Sequence, residues 1–415
     1  MGRAIVVGAG LAGLSAAVRL VEAGFAVEIA EAAAQAGGRC RSYHDVQLGL
    51  TIDNGNHLVL AGNPAVARFR RTVGADTPLA GPDHADFAFA DLASGARWTI
   101  GINDGPLPWW VLTPSRRVPG SRLADYLPLA KLLAKAPGAT LGQRITAAGP
   151  VWEKLLEPVL LAVLNTPPTE GSAALTAAVL RETLLRGGKA TLPRIAEPTL
   201  AAAFIDPAAT WLAQRGAPIT LGKRLRAIET KGDRLSALDW GDTRQELTDE
   251  TVVLAVPAWI AQGLLPGISA PDVHNSIVNA HFAVAPPAGA PPMLALLGAK
   301  AQWLFAFPDR ISVTVSAAED IVGLDREELA RIFWDEIQRA YGFSANLPAW
   351  QVVKEKRATF AATPDQDAKR PPAQTRWNNL LLAGDWTQTG LPATIEGALR
   401  SGETAAGLAI AALRR

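Results

Sequence analysis

A chain of 415 residues, 49% apolar and 19% charged, is long enough for two domains or for one interdigitated unit with a large core. Its 40 Lys and Arg nearly cancel its 39 Asp and Glu, which excludes a basic nucleic-acid surface, so no nucleic-acid partner is expected. One cysteine, Cys40, excludes an internal disulfide, and with only five histidines it leaves almost no ligands for structural zinc, so no metal is expected.

Residues 4–7 read as a buried strand, 11–23 as a helix and 27–30 as a second strand, which makes a right-handed βαβ unit. The apolar opening mimics a secretory signal. Glycines interrupt it at fixed spacing, and Arg19 and Glu22 stand opposite a stripe of Leu14, Ala17, Val18 and Val21, so a strand, turn and amphipathic helix explain it better. No apolar run reaches membrane-spanning length, and a cytoplasmic protein is expected. Short alternating runs over 40–62 predict extended structure. Residues 86–103 predict a hairpin turning at Ser94-Gly95, and 107–190 a mainly helical region. Strands return over 218–256, and the proline-rich stretch 284–293 is a loop. Strands at 302–316 and 350–360 flank a helix at 325–341. A last strand, 380–384, precedes a closing helix whose Ala398, Gly402, Ala405, Ala406 and Ala409 form a small-residue stripe suited to close packing.

Three motifs carry chemistry. The first is VVGAGLAG, which gives Gly8-x-Gly10-x-x-Gly13: Gly8 for a tight turn, Gly10 for close approach of a pyrophosphate, Gly13 for close helix packing. Leu11 and Ala12 open the helix whose N-terminal amides favour an anion. After 17 intervening residues Glu31 ends the second strand, where an acid accepts hydrogen bonds from an unphosphorylated ribose. The second is Gly37-Gly38-Arg39, whose arginine can neutralise pyrophosphate charge. Cys40 beside it reads as a buried filler. The third is LLLAGDW (380–386), a buried strand running into Gly384 and Asp385. Between these lies TIDNGNH (51–57), a crowd of polar groups in which Asn54-Gly55 suits a turn and Asp53 is expected to order that turn or to pair with Arg39 or Arg41.

With these motifs in this order, the sequence resembles the flavin-dependent amine oxidase and phytoene desaturase superfamily over both ends of the chain. A narrower resemblance, carried by GGRCRSYHD, IDNGNHLVLAGN, LNTPPTEGSA and AGDWTQTGLPATIEGALRSG, is to its hydroxysqualene dehydroxylase branch. The resemblance implies an α/β fold: a Rossmann-like FAD-binding domain with an inserted α+β substrate domain and a helical subdomain. The implied FAD-binding segments are 1–75, 191–270 and 373–415. The substrate segments are 76–105 and 271–372, and the helical, membrane-facing segment is 106–190. It further implies non-covalent FAD held by Gly8, Gly10, Leu11, Ala12, Gly13, Glu31, Gly38, Arg39, Gly384 and Asp385. Asn56, His57, Ile395 and Glu396 would lie near the isoalloxazine, and Ala227 on the adenine side.

The branch reaction replaces an allylic hydroxyl by hydride, so the departing oxygen needs a proton donor. His57 is the first candidate and Glu170, kept neutral in an apolar pocket, the second. The hydrophobic isoprenoid substrate needs a long apolar tunnel, which the Trp- and Leu-rich segments 107–164 and 294–306 suit. Paired Trp109 and Trp110 followed by Arg116, Arg117 and Arg122 suit peripheral contact with the inner membrane face. No second dinucleotide fingerprint names the reductant. A polyene desaturase or amine oxidase of the same fold is the alternative enzyme. The few tyrosines (43, 126, 341) argue against an amine oxidase's aromatic sandwich, although Trp386 could partly substitute. A flavin-free lipid carrier of escort-protein type is the non-enzyme alternative, and Glu31, Arg39 and Asp385 together argue against it.

Overall fold

The computed structural model describes residues 2–132, 134 and 136–413. The opening βαβ unit forms as expected: strand Arg3–Val7, helix Leu11–Glu22 and strand Ala26–Ala30. The two strands pair in parallel, and the first pairs on its other side with Thr251–Leu254, which pairs with Leu380–Leu382. Ile219–Thr220 closes the far edge of this five-stranded parallel sheet. Strands drawn from residues 3 to 382 meet here because residues 4–7, 252–254 and 380–382 are apolar on both faces and buried, while the strands toward the far edge keep Glu28 and Thr220 exposed. The closing helix Ile395–Leu413 lies against the first helix, with Ala405, Ala406 and Ala409 buried and the Ser15 hydroxyl donating to the Leu399 carbonyl at 2.8 Å. The small-residue stripe packs closely, as its composition predicts.

A second, seven-stranded sheet is built from the hairpin Ala85–Asp91 and Arg97–Ile102 and from the strands His274–Phe282, Met293–Leu297, Trp303–Phe307, Arg310–Ser316 and Trp350–Phe360. The helix Arg326–Tyr341 covers one face with Leu329, Phe333 and Ile337, against Val278, Ala280, Leu304 and Val313. The other face joins Phe89, Ile100, Met293, Trp303 and Phe305 to Trp110, Trp152, Leu160 and Leu164 of the preceding segment in one core.

The expectation of a mainly helical 107–190 region needs correction over its first half. Among the described residues the longer helical runs are the π-helical turn Trp152–Leu156 continuing directly into the helix Glu157–Leu164, and the helix Ala173–Glu182, whereas between Ile102 and Leu132 only short turns form. Prolines at 106, 108, 114, 119 and 128 remove backbone donors faster than a helix can propagate. Trp110, Val118, Tyr126 and Leu132 still bury into the core, whereas Leu107, Trp109, Leu112, Leu123 and Leu127 stay exposed.

Candidate active site

The glycine turn forms a cradle. Gly8 has φ +107°, and a Cβ there would lie 2.5 Å from the Ala255 carbonyl oxygen; a Cβ on Gly10 would meet nothing within 4 Å. The turn therefore fits tightly against protein at Gly8 and stands open at Gly10. Gly10 begins the first helix with no side-chain cap, and no acid lies in the first turn, so the amides there are free for an anion. Glu31 accepts from Ala9 N at 2.7 Å and from Ala33 N at 2.8 Å, which fixes its carboxylate beside the turn with lone pairs remaining for ribose hydroxyls. Gly37 donates to the Ala9 carbonyl at 2.8 Å, and Gly37 and Gly38 both take positive φ, bringing Arg39 alongside. An open, glycine-lined helix start with a carboxylate on one side and a cation on the other fits a dinucleotide.

Arg39 joins the two ends of the chain. It donates to the Asp385 carboxylate and to the Ala358 carbonyl, each at 2.7 Å. Asp385 is buried, while Arg39 keeps 42% of its side-chain surface accessible. Burial weakens the guanidinium's hold on its proton, but the charge and hydrogen bond of Asp385 outweigh it, leaving Arg39 more firmly protonated than an ordinary arginine. Gly384 is needed because Trp386 folds back over it: a Cβ would lie 2.4 Å from the indole nitrogen, which donates to the Val256 carbonyl at 2.9 Å. Trp386 is thus a core residue, and a free aromatic wall is not formed by it. Arg370, which sequence reasoning missed, is buried beneath this loop and donates to the Asp385 carbonyl and to Thr389.

TIDNGNH runs from a strand (Leu50–Asp53) into a turn beneath the second sheet. Asp53 does not pair with Arg39 or Arg41. It is buried and accepts from Ser42 Oγ at 2.5 Å and Leu200 N at 2.9 Å; burial pushes its carboxyl up to about 6, with the two hydrogen bonds and the Arg310 charge opposing. His57 Nδ1 lies 2.9 Å from the Gly55 carbonyl, so it carries the hydrogen. Burial pushes the imidazole below its ordinary value, and although the Gly55 carbonyl opposes this, the Arg39 charge adds to it. His57 is therefore neutral at pH 7, with its lone pair at Nε2. Cys40 is buried as expected, its thiol pushed up to about 12 by desolvation.

Asn56 Nδ2 donates to Thr314 Oγ1 at 3.0 Å on the inner face of the second sheet. That face was legible only in part. The strand Arg310–Ser316 (RISVTVS) alternates polar and apolar residues, a pattern that ordinarily places the polar set in water, yet all seven residues are buried. Its Ser312 pairs with His281, whose imidazole is pushed down to about 3 by burial, with the Arg310 charge acting the same way. The alternation puts Ser312 and Thr314 on one face, but only their burial, which the sequence does not carry, sets them and their cross-strand neighbours Asn279 and His281 in the interior.

Other expected residues lie elsewhere. Glu170 stands exposed on a turn, without the apolar surroundings its expected role required. The Glu396 carboxylate accepts from Ala65 N and Val66 N at 3.0 Å and from Arg400 at 2.7 Å, so it caps the helix Pro64–Thr72 and does not offer its charge to a ring. Ile395 is buried in the adjoining core. Ala227 begins an exposed strand opposite Asp239, a short way along the chain from Lys223, whose amide donates to the Glu31 carbonyl. An open depression of about 640 Å³ lined by His84, Asp86, Asp104 and Arg116 belongs to the hairpin's outer edge, and no residue of the glycine turn or of TIDNGNH lines it. Among the described residues no cluster suits a metal.

Residues 11–410 match the flavin containing amine oxidoreductase family. The chain is 51% identical over 411 residues to the hydroxysqualene dehydroxylase of Rhodopseudomonas palustris, covering 99% of this chain and 98% of that protein. It is 50% identical over 406 residues to the protein of the same name from Zymomonas mobilis, covering 98% of each. The fold is similar to cyclohexylamine oxidase from Brevibacterium oxydans (TM-score 0.72, 17% identity, all of both chains). It is also similar to an oxidoreductase from Methanosarcina mazei (TM-score 0.73, 16% identity, 97% of this chain and 99% of that one). By its full-length identity to the first two, the chain belongs to the hydroxysqualene dehydroxylase branch of the flavin-containing amine oxidoreductase family and is a flavin-dependent oxidoreductase.

Proposed function

We propose that this enzyme binds FAD non-covalently and reductively removes the allylic hydroxyl of hydroxysqualene to give squalene, a step of squalene and hopanoid biosynthesis. The observation that carries this reading is the inner sheet face, which passes from amide and hydroxyl side chains beside the TIDNGNH turn to phenylalanine and tryptophan beyond it. Such a face suits a long hydrocarbon with one polar group. Gly8, Gly10 and Gly13 would receive the pyrophosphate, Arg39 would balance its charge and Glu31 would hold the ribose, which favours FAD over a mononucleotide. The buried, firmly protonated Cys40 thiol favours non-covalent attachment. Reduced flavin, when bound, supplies hydride to the allylic carbon. The C–O bond breaks, a C–H bond forms, and the oxygen leaves as water after taking one proton. His57 supplies that proton from Nε2 once protonated, and its lowered pKa makes the imidazolium a stronger acid than usual. The aromatic face shields the allylic cation from water.

The test is an anaerobic half-reaction. Chemically reduced enzyme mixed with hydroxysqualene should be reoxidised with stoichiometric squalene. Reduction of oxidised enzyme by a polyene or an amine would instead favour the alternative oxidases, and a preparation that cannot take up FAD would favour the carrier. With His57 as the acid, the rate should climb as pH falls and level off below an inflection lower than the ordinary histidine value of about 6.5. In His57→Gln the climb should vanish while FAD remains bound; an unchanged profile removes His57 from the chemistry.

The substrate would enter from lipid. Leu107, Trp109, Leu112, Leu123 and Leu127 are all exposed within 21 residues, with Arg122 exposed among them and Lys131 exposed just beyond. Exposed apolar and basic groups together suit an anionic bilayer surface. No helix among the described residues is long and apolar enough to cross a membrane. The native protein should float with phosphatidylglycerol vesicles and not with phosphatidylcholine vesicles. A Trp109→Ser, Leu127→Ser variant should lose several-fold in partitioning with unchanged flavin content.

A further inference from the structure

We propose that Asn56 is the residue that reads the substrate's single hydroxyl, with Asn279 and Thr314 as the positioning residues that aim it; this rests on the functional reading above. The argument begins with the orientation of one amide. Thr314 Oγ1 donates its only hydrogen to Asn279 Oδ1 at 2.8 Å. It therefore meets Asn56 as an acceptor and receives the Nδ2 hydrogen at 3.0 Å, and the Val313 carbonyl lies 3.3 Å from the same nitrogen. Turning the amide over would set Asn56 Oδ1 against the Val313 carbonyl, acceptor to acceptor. The network thus fixes Oδ1 on the other side, where it is buried with no partner among the described residues. A buried acceptor without a donor is costly unless a ligand completes it.

What lies beside this acceptor specifies the ligand. Asn279, Thr314, Trp303, Ala295, Phe89 and Trp98 stand in register side by side across six strands of the sheet, all on its inner face. The row is polar for two positions and apolar for the next four. Phe89 stacks on Trp98 with ring centres 5.4 Å apart and meets Trp303 edge-on at 6.3 Å. The apolar part extends about 19 Å beyond Thr314, four strand spacings of roughly 4.8 Å. The indole nitrogens of Trp98 and Trp303 are also buried without a hydrogen-bond partner among the described residues. A ligand that fits is a long hydrocarbon that lays one arm along this row and carries a single hydrogen-bond donor where that arm meets the polar pair. An allylic alcohol is such a ligand and the hydrocarbon formed from it is not, so the same acceptor that holds the substrate releases the product.

The experiment titrates oxidised, FAD-loaded enzyme, which cannot turn over, with hydroxysqualene and with squalene, following the perturbation of the flavin spectrum. Native enzyme should bind the alcohol more tightly. Asn56→Ala should weaken alcohol binding roughly tenfold to a hundredfold and leave squalene binding within about twofold. Thr314→Val, which removes the nearer of the two acceptors that hold the amide and leaves only the Val313 carbonyl, should lose discrimination in the same direction, and Thr314→Ser should restore it. These two variants carry the test if Asn56→Ala fails to fold. Equal loss for both ligands, or no loss for either, overturns the inference. So does a shift in flavin reduction potential with alcohol preference intact, which would assign the acceptor to the cofactor. Native enzyme that fails to convert the alcohol at all removes the functional reading itself, whereas native enzyme that converts it while Asn56→Ala still discriminates removes only this inference.

Discussion

Gly402→Val is expected to collapse the dinucleotide-binding domain, while Gly407→Ala, five residues along the same helix, is expected to stabilise it. A Cβ on Gly402 would lie 2.2 Å from the Ala12 carbonyl oxygen and 2.8 Å from Ala16 N, both backbone atoms of the first helix. That helix cannot retreat, because its start is the glycine turn and its Ser15 is tied to Leu399. Overpacking of this kind costs about 3 kcal/mol or more, a large share of the roughly 5–15 kcal/mol that keeps a domain folded. Gly407 is exposed, with nothing within 4 Å of its Cβ position, so alanine there gains about 0.5–1 kcal/mol from helix propensity. Urea unfolding and retained flavin absorbance measure both. Similar effects at the two sites would mean that the helices do not meet as described.

Asp53→Asn should make the enzyme more stable than the native chain at pH 7.5 and about equal to it near pH 4. The folded-state carboxyl is raised from 3.8 to about 6, so the folded state holds this proton more tightly than the unfolded state does. Stability from this group is therefore fully present below the unfolded value and is lost as pH rises through the folded one. The loss over that window is about 3 kcal/mol. Asparagine keeps an oxygen for Ser42 and Leu200 N and has no charge to desolvate. The difference between the two unfolding free energies, followed from pH 4 to 7.5, isolates the group from all others. A difference that is flat, or that favours the native aspartate at neutral pH, would show that the buried carboxylate is better solvated than its surroundings imply. Why a buried acid that costs stability is kept follows from its position: it ties the strand entering TIDNGNH to Ser42 and to the start of the 200–205 helical turn.

Much of this was legible in the sequence because its cause is local. The glycine spacing, the acid ending the second strand and the small-residue stripe act within one turn or along one helix face. The βαβ unit and the close helix pair form where these features announced them. The resemblance extended that reading to the two ends of the chain, which meet where Arg39 bonds Asp385. What the sequence could not supply was partner identity between distant segments. Asp53 lies near two arginines in sequence but bonds Leu200, because the chain after Thr191 returns to lie across this turn. Glu396 is close to the expected ring position in sequence, yet its carboxylate is drawn to the unsatisfied amides at the start of Pro64–Thr72.

The sharpest division lies in the second sheet. The sequence placed a strand over 302–316, which the structure divides into Trp303–Phe307 and Arg310–Ser316, and assigned no element to HNSIVNAHF, which forms the strand His274–Phe282. The alternation of RISVTVS could not say whether the polar face meets water or an interior, since both give the same period of two. Only the tertiary structure decided that, by folding TIDNGNH and the proline-broken segment over it. A polar surface that would ordinarily be solvated thereby becomes a small set of fixed hydrogen-bonding groups beside an aromatic wall.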